Sequence, residues 1–137
     1  MTQNNISDQR SPAEQLAALP VVERGQLLDA LSDKALESLT SNWKFQARPK
    51  QLPPAGDWRI WLVMAGRGFG KTRTGAEWIR KLVESGQATR IALVGRTAAD
   101  VRDVMVEGPS GLVAVSPEST RPVYEPSKRR IIWKNGA

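Results

Sequence analysis

An α/β fold, a parallel sheet with flanking helices, is predicted for this chain by three observations. Residues 60–64 form an apolar run that passes directly into a glycine-rich turn and then, at Lys71, into a helix-favouring segment. A second short apolar run, residues 90–94, follows that segment, and helix signals recur at Thr97, so that strand, helix, strand and helix succeed one another. Strands joined through a helix pair in parallel by a right-handed crossover. A helical arm precedes this unit and a short antiparallel hairpin follows it, which gives an expected division into residues 1–42 and 43–137.

Residues 60–78 read I-W-L-V-M-A-G-R-G-F-G-K-T-R-T-G-A-E-W. This order suits a chain that lays bare backbone against phosphate. Gly66, Gly68 and Gly70 permit close approach and left-handed φ values, and backbone N–H groups then point at the ligand. The helix that starts near Lys71 adds unpaired donors and the positive end of its dipole. In that arrangement Lys71 reaches the β- and γ-phosphates and the Thr72 hydroxyl holds Mg²⁺. The pattern G-x-x-x-x-G-K-[ST] is met except at its first position, where Ala65, the smallest substitute, stands for glycine. The dinucleotide fingerprint G-x-G-x-x-G is not met, because the glycines fall at 66, 68 and 70. The competing reading is a strand-to-helix turn that binds nothing.

Cysteine and histidine are both absent, which excludes disulfides, thiolate and imidazole metal sites, and Ser-His or Cys-His catalysis. A metal would have to be held by oxygen, as suits Mg²⁺. The 137 residues, 40% of them apolar, suffice for one substantial domain. No stretch approaches the roughly 18 apolar residues of a membrane span. The polar start carries no apolar signal region, so a secreted product is not expected. Charge is unevenly placed: residues 1–40 carry a net −3 and residues 41–137 a net +9. Such a basic half fits a phosphate-rich partner, nucleic acid or nucleotide, and equally a solvated surface.

In chain order, Ser11-Pro12-Ala13-Glu14 has the signature of a helix start, and a short helix to about Leu19 is expected. After Pro20, Val21, Val22, Leu27, Leu28 and Leu31 fit a second amphipathic helix, and Ser32 can cap a third in which Leu36 and Leu39 share a face. These apolar residues are read as packing residues, with partner binding by the arm as the alternative. Residues 43–57 form a proline-rich connector in which Pro49, Pro53 and Pro54 impose extended geometry. A glutamine held there can pair donor and acceptor with an adenine edge. Gln51 is the candidate and Gln46 the reserve, against a plain surface glutamine.

Beyond the loop, a helix over residues 73–84 places Ala76, Ile79, Leu82 and Val83 on one side and ends at Gly86. Residues 90–94 read as a buried strand, and a further helix runs from Thr97 to about Val106. Arg96 and Arg102 are candidate phosphate contacts, for nucleotide or DNA, or ordinary surface charges. Residues 122–125 and 129–133 flank Pro126-Ser127-Lys128 as a hairpin carrying the basic cluster Lys128, Arg129 and Arg130. Asn135-Gly136 signals another hairpin one residue before the sequence stops, so truncation is expected.

The run of residues 47–80, A-R-P-K-Q-L-P-P-A-G-D-W-R-I-W-L-V-M-A-G-R-G-F-G-K-T-R-T-G-A-E-W-I-R, with V-G-R-T-A-A-D-V-R-D-V-M-V-E-G-P-S-G at 94–111 and Y-E-P-S-K-R-R at 124–130, resembles the large terminase subunit. That family comprises the DNA-packaging motors of tailed bacteriophages and gene transfer agents, and the likeness covers about residues 43–137. It implies an ATPase domain of the P-loop NTPase class, acting in the host cytoplasm, that couples ATP hydrolysis to the movement of double-stranded DNA into a procapsid. A nuclease domain follows in the family, and the portal, the small terminase subunit and a homo-oligomeric ring are the implied partners.

Carried over by position, Gly66, Arg67, Gly68, Phe69, Gly70, Lys71 and Thr72 form the nucleotide loop, and Lys71 and Arg67 take the catalytic roles. Arg67 stands where packaging ATPases often place a residue that senses the γ-phosphate; Thr72 is the metal ligand; Gln51 matches the adenine-recognising glutamine loosely. The carboxylates of the Walker B strand and of the nuclease have no counterpart within these residues, so the implied ATP-binding domain is incomplete and turnover by this chain alone is not expected. The alternative is a remnant that binds nucleotide or a capsid partner without turnover. An unrelated nucleotide kinase is disfavoured, since such enzymes open with the phosphate-loop strand.

Overall fold

The computed structural model describes residues 9–137; most of the polar start, residues 1–8, read above as free of a signal region, lies outside the described residues. The chain divides into two compact units, the first ending at Trp61 and the second spanning Leu62–Ala137.

In the first unit, helix α1 (Pro12–Ala17) starts where the sequence signals it. Ser11 Oγ accepts from the Glu14 backbone N–H at 3.1 Å, and the Glu14 carboxylate accepts from the Ser11 N–H at 2.8 Å, so two N–H groups at the helix start are satisfied reciprocally. Helix α2 (Val21–Asp29) follows Pro20, and α3 (Asp33–Ser41) is capped by Ser32, whose Oγ accepts from the Ala35 N–H at 3.3 Å. The packing expected of α2 is corrected: Val21 and Val22 are 73% and 70% exposed and Leu27 53%. A helix of two and a half turns offers one narrow inward stripe, and Leu28, half-buried, occupies it.

The proline-rich connector is less extended than its composition predicts. Asn42 Oδ1 accepts from the Lys44 and Phe45 N–H groups and so starts a helical turn, α4 (Trp43–Gln46), which packs on α1. Extended backbone appears at Ala47 and Arg48, and Pro49 then opens a 3₁₀ turn, Pro49–Gln51. Trp58 and Trp61 meet edge to face with centroids 6.0 Å apart.

The second unit is organised on α5 (Lys71–Glu84). Ala76 and Val83 on its inner face join Leu112, Val115 and Trp133 in the core, with Ile79, Leu93 and Ile131 packed around them. Its end is a Schellman motif: Gly86, at φ +71°, donates to Val83 O at 3.0 Å, and the Gln87 N–H donates to Leu82 O at 2.9 Å. A short turn, α6 (Ala98–Asp100), capped by Thr97, widens into a π-helical stretch, Val101–Val106. Two glycines let the chain pack on the carbonyls of that stretch. A Cβ at Gly108 would lie 2.6 Å from Asp103 O, and one at Gly111 would lie 2.6 Å from Val106 O. Helix α7 (Leu112–Val115) then seals the core against α5.

Strands β1 (Val123–Glu125) and β2 (Arg130–Ile132) pair antiparallel, with Tyr124 opposite Ile131, around a 3₁₀ turn over Pro126–Lys128 and a left-handed Arg129. Glu125 holds the turn through Lys128 at 3.2 Å and Arg130 at 3.1 Å, and the hydrogen bonds from these two cations keep its carboxyl below the usual range. At residues 133–137 the Asn-Gly signal is built as a tight turn, with Gly136 at φ +87° donating to Trp133 O at 2.9 Å. The Asn135 side chain ties this turn to the last carbonyls of α5, donating to Val83 O at 2.9 Å.

The predicted parallel sheet of a P-loop NTPase fold is overturned. Among the described residues the sheet has two strands, β1 and β2, and residues 60–65 and 90–95 belong to no strand. A parallel strand needs a neighbour to pair with and cover on both faces. Here α5 is the one described helix longer than nine residues, and the two runs stay open: Ile60, Leu62, Met64 and Val94 are 86%, 73%, 84% and 81% exposed.

Candidate functional site

The loop ahead of α5 is set by two glycines in the left-handed region, Gly68 at φ +83° and Gly70 at φ +91°. For an L-residue that backbone costs about 1–2 kcal/mol, so the local path itself demands glycine. A Cβ built at Gly66 or Gly68 would meet open space beyond its chain neighbours, and both residues are exposed. Gly70 is the N-cap of α5, and no side chain among the described residues caps it. The first-turn N–H groups of a 14-residue helix are thus left facing the loop with the positive end of its dipole.

Beside these donors the sequence places a lysine. Lys71 is exposed, and its Nζ donates to Ala65 O and Gly66 O, both at 2.8 Å. The ammonium is therefore folded back over the loop that precedes it and sits beside the helix N-terminus. Arg67 is exposed at the tip, Phe69 and Thr72 are half-buried, and Thr74 behind them is buried with its Oγ1 unpartnered among the described residues. Chemically this is an anion cradle: backbone N–H donors, a flexible ammonium, and a hydroxyl one residue further on.

A profile of the family described as terminase large subunit, T4likevirus-type, N-terminal, matches residues 62–137, which is also the span of the second unit. The chain belongs to the terminase large-subunit family. Its role is accordingly in phage DNA packaging. No curated protein and no solved structure gives a significant match.

Elsewhere in this terminase chain, the other sequence-predicted residues are placed as follows. Gln51 is buried in the first unit, where its Oε1 accepts from the Arg48 backbone N–H at 2.9 Å and from Arg48 Nε at 3.4 Å, so its carbonyl end closes the local turn. Gln46 donates to Thr40 O. Arg96 is exposed, and Arg102 pairs with Asp103; that hydrogen bond raises the arginine and lowers the carboxyl from their ordinary ranges. Among the described residues no cluster of three or more carboxylates that could hold a metal is present. No described helix is long and apolar enough to cross a membrane.

Sequence reasoning missed the buried carboxylate of α5. Glu77 is 2% exposed; its Oε1 accepts from Arg73 at 3.0 Å and its Oε2 from Arg80 at 2.8 Å. Arg80 also reaches Glu84 at 3.0 Å. Burial alone would lower the Arg80 pKa, but the hydrogen bonds and charges of Glu77 and Glu84 outweigh it and raise the group. The signal was available in R-T-G-A-E-W-I-R-K-L-V-E, where carboxylates and arginines recur at i, i+3 and i, i+4. This cluster stiffens the first three turns behind Lys71 and Thr72.

Proposed function

We propose that this chain supplies the ATP-binding part of a terminase large subunit, with the loop at residues 65–72 receiving the phosphates. The observation that carries the reading is the meeting of three features at one point: the left-handed Gly68 and Gly70, the uncapped start of α5, and the Lys71 ammonium 2.8 Å from two loop carbonyls. In this reading the N–H groups of the loop and of the first turn of α5 orient the phosphate oxygens. Lys71 leaves Ala65 O and Gly66 O for the β- and γ-phosphates, Arg67 covers the γ-phosphate from the tip, and Phe69 shapes the loop. The Thr72 hydroxyl is the protein ligand for Mg²⁺, which supplies charge neutralisation at the phosphates. In the assembled motor, hydrolysis would drive double-stranded DNA into a procapsid, with the portal, the small terminase subunit and neighbouring copies as partners.

Calorimetric titration of the full chain with Mg·ADP and Mg·ATP, beside a turnover assay, tests it. Saturable binding with one nucleotide per chain, displaced by inorganic triphosphate, is the expected outcome. Absence of binding at millimolar nucleotide, where affinity would be weaker than about −4 kcal/mol, contradicts the assignment.

A further inference from the structure

The second unit carries a groove that the phosphate loop does not use. It lies between residues 89–102 and the β1–β2 hairpin and has a volume of 1090 Å³. Its floor includes Leu93, half-buried, and Trp133, whose indole N–H is buried and unpartnered among the described residues. Five arginines line it, at 90, 96, 102, 129 and 130, and no Asp or Glu side chain does. Two of the five are spoken for, Arg102 by Asp103 and Arg130 by Glu125. Arg90, Arg96 and Arg129 are exposed, with no carboxylate partner among the described residues. The hairpin register brings Tyr124, half-buried, into the same wall.

We propose that this groove binds a single nucleic-acid strand, with Arg90, Arg96 and Arg129 on its phosphates and Tyr124 against its bases. Charge complementarity decides the class of partner, since a groove whose charged side chains are all arginine attracts a polyanion. Guanidinium groups take phosphate bidentately and also stack on bases. Concavity decides the form. At 1090 Å³ the groove is about as large as the largest small-ligand pockets, ~300–1,000 Å³, so its open shape and its charge, not its volume, select the occupant. A flexible strand can enter it, whereas a rigid duplex meets only its rim. An aromatic wall beside a basic groove is the recurring arrangement for strands whose bases are unstacked. Membership of a DNA-packaging family favours nucleic acid over an acidic polypeptide.

The test is fluorescence anisotropy of the full chain with a labelled single strand, compared with the duplex of the same length and with poly-glutamate. The double variant Arg96→Glu/Arg129→Glu is read against Lys34→Glu/Lys50→Glu, which reverses as many charges on exposed residues of the first unit. The groove variant is expected to lose at least about tenfold in affinity for the strand, and the slope of log K on log salt to fall by about 1.4, two contacts at ~0.7 each. Circular dichroism and the thermal transition establish that both variants fold; should the groove variant not fold, Arg90→Gln/Arg96→Gln is read in its place. Equal losses in groove and control variants would overturn the proposal, as would tighter binding of the duplex. Displacement of the strand by poly-glutamate at equal charge would assign the groove to an acidic polypeptide instead and equally overturn it.

Discussion

Replacing Lys71 with alanine is expected to abolish measurable affinity for ADP and ATP while leaving the fold in place. The side chain is exposed and its partners, Ala65 O and Gly66 O, belong to a loop open to water, so removing it uncovers no buried group. Its contribution in the bound state is different in kind, because it is the one ammonium poised beside the first-turn donors of α5. Charged hydrogen bonds of this sort are worth about 1.5–3 kcal/mol, or ~10–150-fold in affinity. Lys71→Arg keeps the charge but not the compact point geometry, and is expected to recover only part of the loss. Calorimetry on the three proteins, with matched thermal transitions, checks this; equal affinity in Lys71→Ala and parent removes the phosphate role from the loop.

Glu77→Ala is expected to be the most destabilising single substitution on α5. Both carboxylate oxygens of a side chain only 2% exposed are engaged by guanidinium groups, and the Arg80 side chain is itself 11% exposed. Truncation leaves a buried arginine with Glu84 as its remaining carboxylate partner. Losing one member of a buried pair costs about 3 kcal/mol, whereas exchange of the whole cluster for apolar residues is often neutral. Arg73, at 36% exposure, adds little of this, since an exposed ion pair contributes at most ~1 kcal/mol. Urea unfolding should show a lower midpoint with unchanged slope, and Glu77→Gln an intermediate loss. A shift in Glu77→Ala of under about 0.5 kcal/mol, the range of ordinary surface substitutions, would mean that the cluster does not brace the helix.

What could be read from the sequence was governed by local signals. Ser11 with Glu14, Ser32, Thr97 and Gly86 each act within four residues, and the structure places caps where these signals fall. The glycine loop was legible for the same reason: φ at Gly68 and Gly70 is a property of the chain itself. The parallel sheet was read from two apolar runs and one helix between them, yet a sheet is a property of partners. Residues 60–64 and 90–94 have the composition of buried strands but no pairing segment among the described residues, and Ile60, Leu62, Met64, Ile91 and Val94 remain exposed. The π-helical stretch at Val101–Val106 escaped because its apolar spacing is close to that of an α-helix. Gln51 illustrates a different limit: its residue type fits adenine recognition, but only the structure reveals that Arg48 takes its carbonyl oxygen.

The central claim, that backbone donors between Gly66 and the first turn of α5 hold the phosphates, is tested most directly by amide hydrogen exchange. The full chain is compared with and without Mg·ADP at saturating concentration. The account expects protection concentrated at residues 66–73, because these N–H groups exchange with water in the open loop and become donors to phosphate oxygens when nucleotide binds. Protection confined to other residues, or exchange at 66–73 unchanged while nucleotide binds, would contradict it.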